Sequence, residues 1–339
     1  MSLGITEPSD TDPQYVVVST ADKYLRFYKP NGELAREFQP HGRDSPTRTF
    51  RIVSGLLVTG GMDGAINLFS VDGTKYCSAK EHSKFIVSLD VLDDVVVTAG
   101  YDGVINLFRI IHNPAEQDRK LEGSEASEKN GQERGSYGPI LSHIKSIEVP
   151  TIPTCVCLCV WQGKTVVLVT RQDSAYLYYY SVEQISPLKI LKEVRLNDAQ
   201  FVADPFTPLQ MTVNKSGLIA IGTNHVPYMR ILITQVGSSQ ILHNLTSLSP
   251  QDHYSSPQIQ WSPDNKLIWC GGDDGVIRGL SIEEGRVVAE LKGHTDRVRG
   301  LTIGNLDGEP TLVSGGADKQ VIRWWGEQKV LETVSKGNK

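Results

Sequence analysis

Apolar and polar positions along this chain of 339 residues fall into a pattern that repeats. A short apolar run leads into a small turn ending in Asp. An apolar residue follows three positions later, and an aromatic or large apolar residue six positions later. Met62-Asp63-Gly64-Ala65-Ile66-Asn67-Leu68-Phe69 and Tyr101-Asp102-Gly103-Val104-Ile105-Asn106-Leu107-Phe108 are nearly one octapeptide. Asp22 (Leu25, Tyr28), Asp173 (Tyr176, Tyr179), Asp274 (Ile277, Leu280) and Asp318 (Val321, Trp324) fit the same template. A seventh unit falls between Asp173 and Asp274, with runs at Leu218–Gly222 and Met229–Ile233 and a longer turn, Thr223–Tyr228, holding Asn224 near the place of the Asp. Units of about 40 residues cannot bury a core alone and must stack on one another.

The β-branched and aromatic runs between Gly, Asp, Asn and Pro turns read as strands. The last unit shows four: Val298–Ile303, Thr311–Gly315, Gln320–Trp325 and Lys329–Thr333. No amphipathic helical stretch separates them. The expected fold is all-β, a seven-bladed β-propeller of four-stranded antiparallel blades, because radial closure leaves only short exposed edges. The expected blades are 3–39, 47–80, 85–149, 152–195, 208–244, 257–291 and 297–334, within one domain over 1–339. In the first blade Tyr15–Ser19, Tyr24–Tyr28 and Glu33–Phe38 supply three strands. Its inner strand must come from Leu3–Thr6 or the blade is incomplete. Residues 113–138, rich in Glu, Ser, Gly, Lys and Gln, cannot repay their ordering entropy and are expected to form a flexible insert between the third and fourth strands of blade three.

The hydrophobic fraction, 39%, is that of an ordinary globular protein, and the net charge of −5 gives no pull toward nucleic acid or anionic membrane. No apolar stretch approaches the length of a membrane-spanning helix, and residues 1–13 lack the features of a secretory signal. Five irregularly spaced cysteines do not form a disulfide framework, so an intracellular site, cytoplasmic or nuclear, is expected.

Gly293-His294, Ser314, Asp318 and Trp324 in the final unit resemble the signature of a WD40 repeat, with Trp325 standing where the terminal Asp of that family is usual. The resemblance covers nearly the whole chain apart from the insert. It implies a hydrogen-bonded group of His294, Ser314, Asp318 and Trp324 inside the blade, with partial copies at His82, Thr98 and Asp102 and at His41, Thr59 and Asp63. In blade six, Cys270 takes the place of the Ser/Thr that would accompany Asp274. A buried carboxylate needs donors, and imidazole, hydroxyl and turn amides supply them. The resemblance also implies a rigid platform for protein partners.

The long connections 196–210, 223–228 and 245–257 would then emerge on one face, the top. They carry Phe201, Phe206, His225, Tyr228, His253 and Tyr254, aromatic anchors for a protein interface or rings tucked under their own loops. Arg297 and Arg299 flank Val298 at the start of the last inner strand, and the resemblance implies a top-face contact near the central channel at Arg299; an arginine there can grip a partner carboxylate, or pair internally with an acid such as Asp296. Cys155, Cys157 and Cys159 share one face of a strand, a spacing that suits buried packing better than a zinc site. No cofactor or metal is expected.

The leading expectation is a non-catalytic scaffold or adaptor in a multiprotein complex, not an enzyme. A propeller enzyme would gather carboxylates and histidines at the channel, and the inner strands offer mainly Val87, Leu89, Val156, Leu158, Met211, Val213 and Leu301. A phosphoinositide-binding propeller would carry Phe-Arg-Arg-Gly, and Ile277-Arg278-Gly279 and Val298-Arg299-Gly300 each offer one arginine. The acidic balance and lack of a basic stripe argue against nucleic acid.

Overall fold

The structure, a computed structural model, describes residues 1–8, 13–112, 138–183, 190–197, 206–252 and 255–324, and the backbone of 329–333. The repeating turn has a local cause. The Asp side chain accepts the amide hydrogen two residues on: Ala65 N to Asp63 (3.0 Å), and Val104 N to Asp102, Val276 N to Asp274 and Gln320 N to Asp318 (each 3.1 Å). The next residue is left-handed. Gly64, Gly103 and Gly275 take φ of 79°, 80° and 75°, and Lys23 and Lys319 accept the same conformation. Glycine at 64 has a second reason, since a Cβ there would meet the carbonyls of His82 and Lys84 at 2.5 and 2.6 Å.

These turns join strands into seven four-stranded antiparallel sheets, each with its strands in chain order. The first strands of successive blades touch one another around the centre, so they form the inner wall of the channel. The molecule is a seven-bladed propeller. Second strands such as Val16–Ser19 and Leu56–Gly61 are buried on both faces, which is why they read as continuous apolar runs. Val17 packs with Phe50 and Phe69 of blade two, while Val16 and Val18 pack with Leu306, Val313 and Val321 of blade seven. An apolar cluster of this kind fills each of the seven blade interfaces. Burying one such side chain contributes about 1.5–3 kcal/mol. Outer strands alternate exposed and half-buried positions, as in Arg286–Lys292.

The first blade has its own inner strand, Leu3–Ile5, paired with Val16–Val18. Each terminal blade thus holds four strands from one end of the chain, and the seam closes by packing and hydrogen bonds. Gln14 bridges it, donating to Asn305 O (2.8 Å) and accepting from Asp307 N (2.9 Å). In blade three the third strand, Val104–Ile111, pairs with the outer strand, Ile140–Glu148, and residues 113–137 of the polar insert lie outside the described residues. In blade five the outer strand runs Ile241–Pro250, so the first six residues of the stretch expected as a loop from Leu245 are strand, bonded to Tyr228–Thr234.

Candidate partner-binding face

The face is held from beneath by the Asp turns. In blade seven, Trp324 Nε1 donates to Ser314 Oγ (2.6 Å), Ser314 Oγ lies 2.7 Å from His294 Nε2, and His294 Nδ1 lies 3.0 Å from Asp318 Oδ2. With Ser314 committed as acceptor from the indole, its hydroxyl hydrogen goes to Nε2 and the Nδ1 hydrogen goes to the carboxylate. His82 spans Thr98 (2.8 Å) and Asp102 (3.1 Å) in blade three, and His41 spans Thr59 (3.0 Å) and Asp63 (3.1 Å) in blade two. Phe69 and Phe108, at the position of Trp324, have no ring N–H to donate to the hydroxyl.

Two blades use a different brace. Four residues after the turn Asp, Arg26 and Arg278 reach back to Asp22 and Asp274. Their closest contacts are 2.6 and 2.7 Å, and they also pair with Glu37 (2.8 Å) and Glu290 (3.3 Å) on the outer strand. Here guanidinium replaces imidazole, which is why blade six needs no hydroxyl at Cys270. In blades two and three the same position is Asn67 and Asn106, both buried. In blade five, Asn224 Oδ1 accepts from Thr207 N (2.7 Å), tying the turn to the incoming segment as Asp102 does with Ser83 N (2.8 Å).

Burial lowers the pKa of His41 and His82 below the ordinary 6.5, only partly offset by Asp63 and Asp102. For Asp102, burial opposes the charge but is outweighed by the Ser83 and Val104 amides and His82, so its pKa falls below 3.8. Asp22 and Asp274 are likewise held low, burial being overcome by Arg26 and Arg278. The sign follows from linkage. A lowered pKa contributes stability that is complete above the unfolded value and is lost as pH falls through the folded one. Melting temperature should therefore begin to fall below pH 6.5 and fall again below pH 3.8. His82→Gln should shrink the first decline, and a flat profile through that first window would refute the assignment.

The turns and the starts of the inner strands lie on one face, because each of these turns bonds to the segment entering its own blade: Met62 N to Pro46 O (3.1 Å), Tyr101 N to Phe85 O (2.9 Å), Gln172 N to Ile152 O (2.8 Å) and Ala317 N to Arg297 O (2.8 Å). The expected anchors divide on this face. Phe201, His253 and Tyr254 lie outside the described residues. Phe206 is not a surface anchor. It is 6% exposed, packs with Met211, Ile219, Ile221 and Leu232, and stacks on His225 at 4.9 Å. His225 is half-buried, 2.6 Å from Thr223 Oγ1, and its carbonyl accepts from Gln251 Nε2 (2.5 Å), so it braces the loop. Tyr228 remains available at 43% exposure, beside Val226 at 43%. Arg297 is paired with Asp252 (3.0 Å) and Asp273 (3.5 Å), not with Asp296 through its side chain. Its bond with Asp252, then the charges of Asp273 and Asp252, raise its pKa. Arg299 is half-buried at the channel mouth.

Inside the channel, Arg51 pairs with Asp90 (3.1 Å), whose other oxygen accepts from Leu158 N (2.9 Å), and Ser88 Oγ accepts from Val156 N (3.2 Å). These polar groups tie blade two to three and three to four. Cys155, Cys157 and Cys159 are buried in the cluster between blades four and five, and burial pushes the Cys159 thiol up to about 12. Among the described residues, no three His, Cys, Asp or Glu side chains converge to hold a metal ion.

Seven closed blades, three of them with His–Ser/Thr–Asp bracing, define a WD40-like β-propeller. The chain belongs to the family described as UCP007778, beta-propeller domain, whose model matches residues 2–325. It is 34% identical over 70 residues to THO complex subunit 6 of Drosophila melanogaster, covering 21% of this chain and 19% of that protein. It is 39% identical over 70 residues to Topless-related protein 1 of Arabidopsis thaliana, covering 20% of this chain and 6% of that one. The chain thus spans less than a fifth of the length of either curated relative. The crystal structure of the computationally designed Ika8 protein superposes with a TM-score of 0.56 at 17% identity, covering 95% of this chain and 82% of that one, a likeness of fold alone.

Proposed function

We propose that this propeller is a non-catalytic scaffold that docks protein partners on the face where its inner strands begin. The observation that carries the reading is the braced loop of blade five. Phe206, His225 and Gln251 spend their contacts holding Tyr228 and Val226 out at the surface, an anchor whose ordering cost is already met. Asp90, the carboxylate in the channel wall, is committed to Arg51 and Leu158 N, which favours structure over catalysis. The five thiols are free, as suits a reducing compartment, cytoplasm or nucleus. The name of one relative, THO complex subunit 6, describes a member of an assembly, and a role within a multiprotein complex fits this chain.

Tyr228→Ala and Arg299→Ala should each reduce recovery of partners co-purified from the native source, with stability changed by no more than about 0.5 kcal/mol. Phe206→Ala does not belong in this test, since emptying its site should cost about 3–5 kcal/mol. Unchanged recovery with both surface variants would refute docking on this face.

A further inference from the structure

The inner strands carry one device five times. In blades two, three, four, five and seven the pairing with the second strand slips at the second residue, leaving Arg48, Val87, Thr154, Leu209 and Arg299 as bulges. A bulge re-aims the side chain it carries. All five line one cavity of about 450 Å³ at the mouth of the channel. Among the described residues its wall holds three arginines, Arg48, Arg51 and Arg299, and no Asp or Glu. Arg51 is paired with Asp90 deeper in. Arg48 and Arg299 make no ion pair with any described residue, in contrast to Arg26, Arg278 and Arg297. Arg48 and Arg299 thus share the wall of one cavity. Beside them on the rim, Phe85 stacks on Tyr101 at 4.6 Å, Tyr101 is 37% exposed, and Lys84 Nζ stands 5.6 Å over its ring.

We infer that this mouth takes an acidic peptide segment of a protein partner, with Glu or Asp carboxylates gripped between Arg48 and Arg299 and a neighbouring apolar side chain laid on Tyr101. The inference rests on the reading of this face as a protein-docking surface. Two guanidiniums with no ion pair among the described residues, in a concave wall whose described lining holds no acid, make a local anion site, and each can bind a carboxylate through two parallel hydrogen bonds. The site is too small for a folded domain and holds a few side chains. A long polyanion fits poorly: its affinity is a sum over many phosphate contacts, and the net charge of −5 opposes its approach.

The test is fluorescence anisotropy with a short labelled peptide of alternating Glu and Asp and one Phe, against the same peptide with Lys at the acidic positions and a single-stranded RNA of equal length. The acidic peptide should bind, more weakly at high salt, and Arg48→Ala/Arg299→Ala should weaken it by at least about tenfold. Arg48→Glu/Arg299→Glu should reverse the preference toward the Lys peptide, with both proteins melting as the parent does. No binding of the acidic peptide, binding indifferent to the two arginines, or tighter binding of the RNA overturns the inference. If it fails while partner recovery still falls with Tyr228→Ala, the scaffold reading stands without it. If recovery is also indifferent to Tyr228 and Arg299, both fall.

Discussion

Asp318→Ala should cost about 3 kcal/mol or more, because it removes one partner of a buried pair and leaves the other in place. The Asp318 side chain is 4% exposed and that of His294 is 0% exposed. Asp318 accepts from His294 Nδ1, from Thr295 N (3.0 Å) and from Gln320 N (3.1 Å). Alanine leaves three donors short of an acceptor and gives water little access to replace it. The ion pair of blade one supplies the contrast. Asp22 serves the same turn but is 45% exposed, so Asp22→Ala should cost under about 1 kcal/mol. Urea denaturation of the two variants measures the difference, and equal midpoints would show that burial does not set the value of these braces.

Leu3→Asp should destabilise the protein by about 3 kcal/mol or more, acting at the seam of the ring. Leu3 is 8% exposed and packs with Val16, Val18, Tyr28, Leu306, Val313 and Val321. It also lies over a glycine-lined groove of blade seven. A Cβ on Gly300 would stand 3.0 Å from the Leu3 Cγ, and one on Gly315 would stand 2.2 Å from the Met1 Cε. A carboxylate there loses this packing. The seam is joined by no shared blade, so amides of Leu3–Ile5 and Val298–Leu306 should exchange with deuterium faster than those of Ile86–Leu92 and Pro153–Trp161. Leu3→Asp should widen that gap, and Gln14→Ala, which removes the two bonds at the other end of the seam, should cost about 1 kcal/mol. Uniform exchange around the ring would show that the seam is no weaker than the other interfaces.

The turn Asp was legible because its work is local: it caps its own backbone two residues on, wherever the chain goes next. Blade seven was legible for the same reason, its four strands agreeing with expectation to within a few residues at each end. The braces of blades one and six were not. Arg26 and Arg278 stand four residues after the Asp, a visible spacing, but their second partners, Glu37 and Glu290, are fixed by strand register. Phe206 read as a loop aromatic and is core, since what covers it is His225, on a different connection. Arg48 is equivalent to Arg299 through a slipped register, which the neighbouring letters do not carry.

By itself, then, the sequence determined the repeat, the number of blades and the turn chemistry, because each unit is specified by interactions within about forty consecutive residues. The tertiary structure decided which polar residues are spent on bracing and which are left facing outward. Among the described residues Arg297 is ion-paired and Arg299 is not, two residues apart at the start of one inner strand, since Asp252 and Asp273 reach only the first of them. The choice between an internal partner and an external one is made by side chains far away along the chain, and only closure of the ring brings those together.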